Sequence, residues 1–186
     1  MKVLLTSCGL ETDNIRNKFI DMLNMNPSEI KAIFIPTAAV DADAIGVLPK
    51  CMNDLLKCGI KKENITVYDL HKPMTAEETK CYDVIYICGG NTEYLLERIN
   101  EIDFGTCIKA FINDNRSVVG VSAGSIIFAD NLKNSLGLLN RRLDVHCDDK
   151  QCSPTGCIDM ADPAPIRLGN RQGLVFESEN HAYIIE

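Results

Sequence analysis

Short aliphatic and β-branched runs alternate along this chain with segments of helical periodicity, and that alternation leaves few folds open. Strands that are apolar on both faces must be covered on both faces, which a parallel sheet with crossover helices achieves. KVLLTS at Lys2–Ser7, KAIFIP at Lys31–Pro36, NITVYDL at Asn64–Leu70, YDVIYIC at Tyr82–Cys88 and SVVGV at Ser117–Val121 read as strands. Between them, Asn14–Leu23 places Ile15, Phe19, Met22 and Leu23 at helical spacing, and a helix from about Ala44 to Cys58 stops at Gly59. Further helices are expected over Glu93–Ile99 and Phe104–Asn113, with another beginning over Ser125–Ala129. After Asp130 the pattern loosens. Arg142–His146 reads as a strand, Cys147–Pro165 as loop, and Gly173–Phe176 with His181–Ile185 as a closing hairpin. No repeat or linker divides the 186 residues. The expectation is an α/β fold: a single doubly wound domain over residues 1–186, with a mostly parallel sheet and a small C-terminal β-hairpin.

Charge narrows the partners. With 19 basic and 26 acidic side chains the formal charge is −7, which argues against nucleic acid or an anionic membrane, since both call for a basic surface. No apolar run approaches the ~20 residues of a membrane span. Glu11 and Asp13 arrive before any signal-peptide cleavage pattern, so a cytoplasmic location is expected. The nine cysteines are odd in number and include no CxxC pair, which fits neither a disulfide framework nor thioredoxin-like chemistry. The first six, Cys8, Cys51, Cys58, Cys81, Cys88 and Cys107, read as small buried hydrophobes.

Two glycine-bearing turns carry the chemistry. Gly120-Val121-Ser122-Ala123-Gly124 fits G-x-S-x-G and falls between a strand and a helix, where the pattern describes a nucleophile elbow. In such a turn the serine hydroxyl projects from the sheet, and the N–H of Ala123 faces a developing oxyanion at a helix N-terminus. A glycine-rich turn that binds phosphate, or nothing, is an equal reading. Gly89-Gly90-Asn91-Thr92 also follows a strand and precedes a helix. Its backbone could give the other half of an oxyanion hole, with Gly89 shaping the approach and Asn91 and Thr92 near a substrate. The plainer reading makes Asn91 or Thr92 a helix N-cap. Two such turns at one sheet edge, where open α/β sheets bind ligands, favour a site.

A serine nucleophile needs a base, and the chain has three histidines. His71 falls in a Lys-Pro loop and His181 in the closing hairpin, whereas His146 follows Ser122 by 24 positions at the end of an expected strand. Ser122 with His146 is the preferred pair.

These residues bring a family into view. The sequence resembles the peptidase E-like serine peptidases, peptidase family S51, whose fold is related to class I glutamine amidotransferases. The matching segments are TSCGL at Thr6–Leu10, IPTA at Ile35–Ala38, IYICGGNT with YLL over residues 85–96, VGVSAGS at Val119–Ser125, LGLL at Leu136–Leu139 and Val145-His146. The amidotransferases carry cysteine at the elbow, and Ser122 stands there in this chain. The resemblance implies Ser122 as nucleophile, His146 as general base, and the N–H groups of Gly90 and Ala123 as oxyanion hole. It further implies peptide hydrolysis through an acyl-enzyme without metal or organic cofactor, on short or unusual aspartyl peptides. The family's third catalytic residue is an acid, and between Ser122 and His146 the only acids are Asp130 and Asp144. Asp130 is the one chosen. Asp144 lies two residues before His146, so in a strand its Cβ would sit ~6–7 Å away on the same face.

Two other readings stand beside the peptidase. One is a catalytically impaired relative that binds a small ligand or a protein. The other uses His146, Cys147, Cys152 and Cys157 as a zinc site, with a spacing that matches no common structural zinc motif. The expected partner is a small peptide substrate, with a homodimer as the assembly.

Overall fold

A computed structural model describes residues 1–186. Five strands, β1 (Lys2–Thr6), β2 (Ala32–Ile35), β3 (Ile65–Val67), β4 (Val84–Ile87) and β5 (Ser117–Val121), alternate with helices. The helices are α1 (Asp13–Leu23), α2 (Ala42–Lys57), α3 (Ala76–Thr79), α4 (Thr92–Glu101) and α5 (Phe104–Asn113), followed by the short α6 (Ala123–Ile126). The remaining strands are β6 (Leu143–Asp144), β7 (Gly156–Cys157), β8 (Ile166–Arg167), β9 (Gly173–Ser178) and β10 (His181–Ile185). The main sheet runs β3-β2-β4-β5-β1-β9-β10-β7; β6 and β8 form a separate parallel pair. The first five strands are parallel, and β9, β10 and β7 extend the sheet in antiparallel fashion beyond β1.

Each central strand feeds two cores, because successive side chains leave on opposite faces. Val3, Leu5, Ile33, Ile35, Ile85, Ile87 and Val118 pack with residues of α4 and α5 on one face. Leu4, Phe34, Tyr86, Val119 and Val121 pack with residues of α1 and α2 on the other. Helix starts follow local signals: Thr12, Asp41 and Asn91 accept from the N–H groups of Ile15, Ala44 and Tyr94.

The departures from expectation have identifiable causes. The third strand is only Ile65–Val67; it is a sheet edge, and the chain turns away at Leu70, whose φ is 60°. The helix α3 was not expected, although Thr75 and Glu78 form a complete capping box, a signal present in the sequence. The expected helix after the elbow is a single turn that begins at Ala123. Its continuation is prevented by the returning chain: Leu136 N–H donates to Ile127 O at 2.8 Å, and Leu138 and Leu139 N–H both donate to Phe128 O at 3.0 Å. The strand expected over Arg142–His146 shrinks to β6, and the loop over Cys147–Pro165 contains β7 and a 3₁₀ turn at Asp149–Gln151. Of the first six cysteines, Cys51, Cys58, Cys88 and Cys107 are buried, while Cys81 is exposed and Cys8 is half-buried.

Candidate active site

Ser122 sits at the junction of β5 and α6 with φ 50° and ψ −112°. This is a backbone conformation that costs a non-glycine residue roughly 1–3 kcal/mol and persists where its surroundings over-determine it. Here they do. Ser122 N–H donates to Thr6 O at 2.9 Å, Ser125 N–H returns to Ser122 O at 2.8 Å, and the buried Ser125 hydroxyl donates to Thr6 O at 2.8 Å. Packing is just as restrictive. A Cβ on Gly120 would lie 2.4 Å from Gly124 O, and one on Gly124 would lie 2.3 Å from Ile87 O. The Ser122 hydroxyl caps nothing in its own helix. Instead it meets His146, with Oγ 2.9 Å from Nε2.

Gly89 and Gly90 leave the neighbouring strand β4 beside it. A Cβ on Gly89 would stand 3.0 Å from that of Ser122. Gly90 takes φ 136°, and a Cβ there would fall 2.0 Å from Ala38 O, so the loop after β2 can approach only a glycine. The Gly90 N–H donates to no backbone group of the chain. Ala123 is the first residue of α6 and is buried.

His146 lies beyond β6, with φ 57°. Its own N–H donates to Ser7 Oγ at 2.8 Å, and the next residue is tied down by Cys147 N–H to Leu168 O at 3.1 Å. On the far side of the ring, Nδ1 is 2.9 Å from Asn170 Oδ1, 3.3 Å from Ser7 Oγ and 3.5 Å from Cys8 Sγ. A proton on Nδ1, donated to Asn170, leaves Nε2 free to accept from Ser122. The Cys8 sulfur beside Nδ1 and the bond to Asn170 hold the His146 pKa above its ordinary value, against the opposing effect of burial.

Asn170, Ser7 and Cys8 are thus the site residues that sequence reasoning missed. Ser7 and Cys8 carried a signal, as the residues that end a parallel strand at the carboxyl edge. Asn170 carried none; it stands in the turn between β8 and β9, and only the closure of the sheet brings it to His146. Asp130 is exposed and is not among the partners of the imidazole. Its N–H donates to Arg141 O at 3.1 Å, because the chain folds back at Ala129 into a bridge with Leu139. Asp144 faces Arg142 and Arg167, at 3.4 and 3.9 Å. Asn91 serves as the N-cap of α4, its Oδ1 accepting from Tyr94 N–H at 2.9 Å. With Thr92 it lines a separate depression beside Glu93 and Arg142. The residues of the zinc reading do not converge: His146 faces Ser122, Cys152 donates to the carbonyls of Cys147 and Asp148, and Cys157 lies on β7 near His181.

Ser122 and His146 open into a cavity of about 290 Å³. Ser7, Cys8, Gly89 and Gly90 line it on the sheet side, and Ala44, Val47, Leu48, Lys50 and Cys51 line it from α2. Behind this wall, buried Asp54 of α2 ties α2 to the chain after β1 and to β4: its Oδ2 accepts from Leu10 N–H at 2.9 Å and from the Tyr86 hydroxyl at 2.7 Å. Burial pushes the Asp54 pKa up despite these two donors.

The family model of peptidase family S51 matches residues 3–137. The chain belongs to peptidase family S51. As a member it is a peptidase, and the matched segment holds the elbow and the Gly89-Gly90 turn, whereas His146 and Asn170 lie beyond it. Among solved structures, the chain is similar to a candidate peptidase E protein from Listeria monocytogenes EGD-e. The TM-score is 0.76 at 17% identity, over 100% of this chain and 98% of the other. It is also similar to a peptidase from an acI-B1 Actinobacterium, with TM-score 0.67 and 15% identity, over 98% of this chain and 86% of that one. At these identities the likeness establishes the α/β fold, with its mostly parallel sheet. No curated protein matches the chain significantly. No helix is long and apolar enough to cross a membrane.

Proposed function

We propose that this S51 peptidase is of the serine type and hydrolyses short peptides through an acyl-enzyme at Ser122. The observation that carries the reading is the 2.9 Å contact between Ser122 Oγ and His146 Nε2, a distance at which a neutral imidazole takes the hydroxyl proton during attack. Ser122 Oγ then forms a bond to the scissile carbonyl carbon. The carbonyl electrons move to oxygen, and the N–H groups of Gly90 and Ala123 stabilise that oxyanion. The proton on Nε2 passes to the leaving amine as the C–N bond breaks. Water, deprotonated by the same nitrogen, attacks the ester and restores the hydroxyl.

Asn170 is a positioning residue in this scheme. It holds the Nδ1–H tautomer and the ring orientation, but as a neutral amide it stabilises the imidazolium less than a carboxylate would. Free thiols throughout the chain suit a reducing cytoplasmic setting. The test is labelling by a fluorophosphonate, which forms a stable ester with an activated serine. One equivalent on Ser122, abolished in Ser122→Ala and in His146→Ala, is the expected result. Absence of labelling in the folded wild-type protein would favour a binding module and overturn the serine-peptidase reading.

A further inference from the structure

Beside the Ser122–His146 pair, the cavity wall is apolar. Ala44, Val47, Leu48, Cys51, Cys88 and Val121 line it. Val47 is 50% exposed, and with Val40 and Ile45 it belongs to a short stretch that holds three of the five large exposed hydrophobic side chains, the others being Met25 and Val67. Half of Val47 is therefore left open to solvent at the mouth of the cleft. Lys50 is the only lysine or arginine that lines the cavity, and its ammonium group is hydrogen-bonded to Glu11. A substrate carboxylate entering here would lose water beside an apolar wall, and the charge of its one lysine neighbour is offset by Glu11. An aliphatic side chain would cover Val47 and Leu48 and gain from their burial. The volume, about 290 Å³, is at the low end of the ~300–1,000 Å³ range of small-molecule sites, enough for a side chain or two and not for a folded polypeptide.

We propose that the cleft between α2 and the elbow selects an apolar side chain of leucine or methionine class on a residue flanking the scissile bond. This rests on the serine-peptidase reading, and it departs from the aspartyl preference that the family resemblance implies. Val47 and Leu48 are the specificity-determining contacts, and Glu11 offsets the charge of Lys50.

The test is a matrix of dipeptides with leucine, aspartate or lysine at each position, read as kcat/KM and run beside fluorophosphonate labelling of Ser122. Leucine is expected to exceed aspartate by about 10- to 100-fold in at least one of the two positions. Val47→Arg, a change at a half-exposed helix position, should reduce or reverse that ratio. Aspartate preferred at both positions, or no discrimination, overturns the proposal, and labelling of Ser122 in the same protein shows that the serine reading survives. If neither labelling nor hydrolysis occurs, the serine reading fails. Binding of the same dipeptides to the Ser122→Ala variant, followed by protein NMR shifts at residues 44–51, then decides the cleft's preference by itself. Shifts with leucine-containing peptides and none with aspartyl ones support it, and any other pattern overturns it.

Discussion

Residues 1–122 and residues 130–186 both deliver groups to the site, but by different means. The first part presents Ser7, Cys8, Gly89, Gly90 and Ser122 at the carboxyl ends of β1, β4 and β5, three adjacent strands of one parallel sheet. Their positions follow from backbone hydrogen bonds and from contacts that leave no room for a Cβ. The second part presents His146 and Asn170 from turns between strands of two to six residues. These two are held by individual long-range bonds, such as His146 N–H to Ser7 Oγ and Cys147 N–H to Leu168 O. Ser122 is therefore fixed by architecture, and His146 is fixed by a few side chains and turn contacts that substitution can remove singly.

The largest expected effect tests the architectural half. Gly124→Ala should destabilise the protein by about 3 kcal/mol, since the new methyl group meets a backbone oxygen that cannot move away, and activity should fall with the folded fraction. Gly137→Ala is the control from the looser region. Its φ is 70° but nothing lies within 4 Å of the added Cβ, so about 1 kcal/mol is expected. Thermal denaturation of the two variants checks the contrast; equal losses would erase it.

A smaller effect, confined to catalysis, is expected in the other half. Asn170→Ala should lower kcat by about 10- to 100-fold with little change in melting temperature, because the ring loses its orienting acceptor and keeps its serine contact. Asp130→Asn should change kcat by less than about two-fold, in keeping with an exposed side chain away from the imidazole. Single-turnover kinetics separate them, and an Asp130 effect larger than the Asn170 effect would reverse the assignment of the positioning residue.

The smallest effect is a shift of pH profile. The proposed mechanism requires neutral His146, whose pKa is raised, chiefly by Cys8 and then by Asn170. The acid limb of kcat/KM should accordingly have its midpoint above the ordinary histidine value. Cys8→Ala removes the leading cause, so the midpoint should move to lower pH while the plateau rate is retained. A shift to higher pH would mean that Cys8 acts on something other than the imidazole.

Much of this was legible in the chain itself. Five aliphatic runs spaced by helical periodicities dictate a parallel sheet, because no other arrangement covers strands that are apolar on both faces. G-x-S-x-G and the Gly89-Gly90 pair mark the turns at its carboxyl edge, since only small residues allow that approach. His146 could be singled out by elimination among three histidines. Asp130 could not be judged from sequence: it precedes a chain reversal, and which way that reversal aims a side chain is set by the carbonyls of Ile127 and Phe128 and by their partners in residues 136–139. Asn170 was beyond reach altogether. An asparagine in a turn looks like any other turn residue until β9 pairs with β1 and the turn before it is carried to the sheet edge beside Ser7. Local patterns along the chain determined the strands, the elbow and the glycine turns because those depend on near neighbours. Contacts across 24 to 163 positions, between His146 and Ser122 and between Ser7 and Asn170, were decided only by tertiary structure, which alone brings such distant residues into one hydrogen-bonded array.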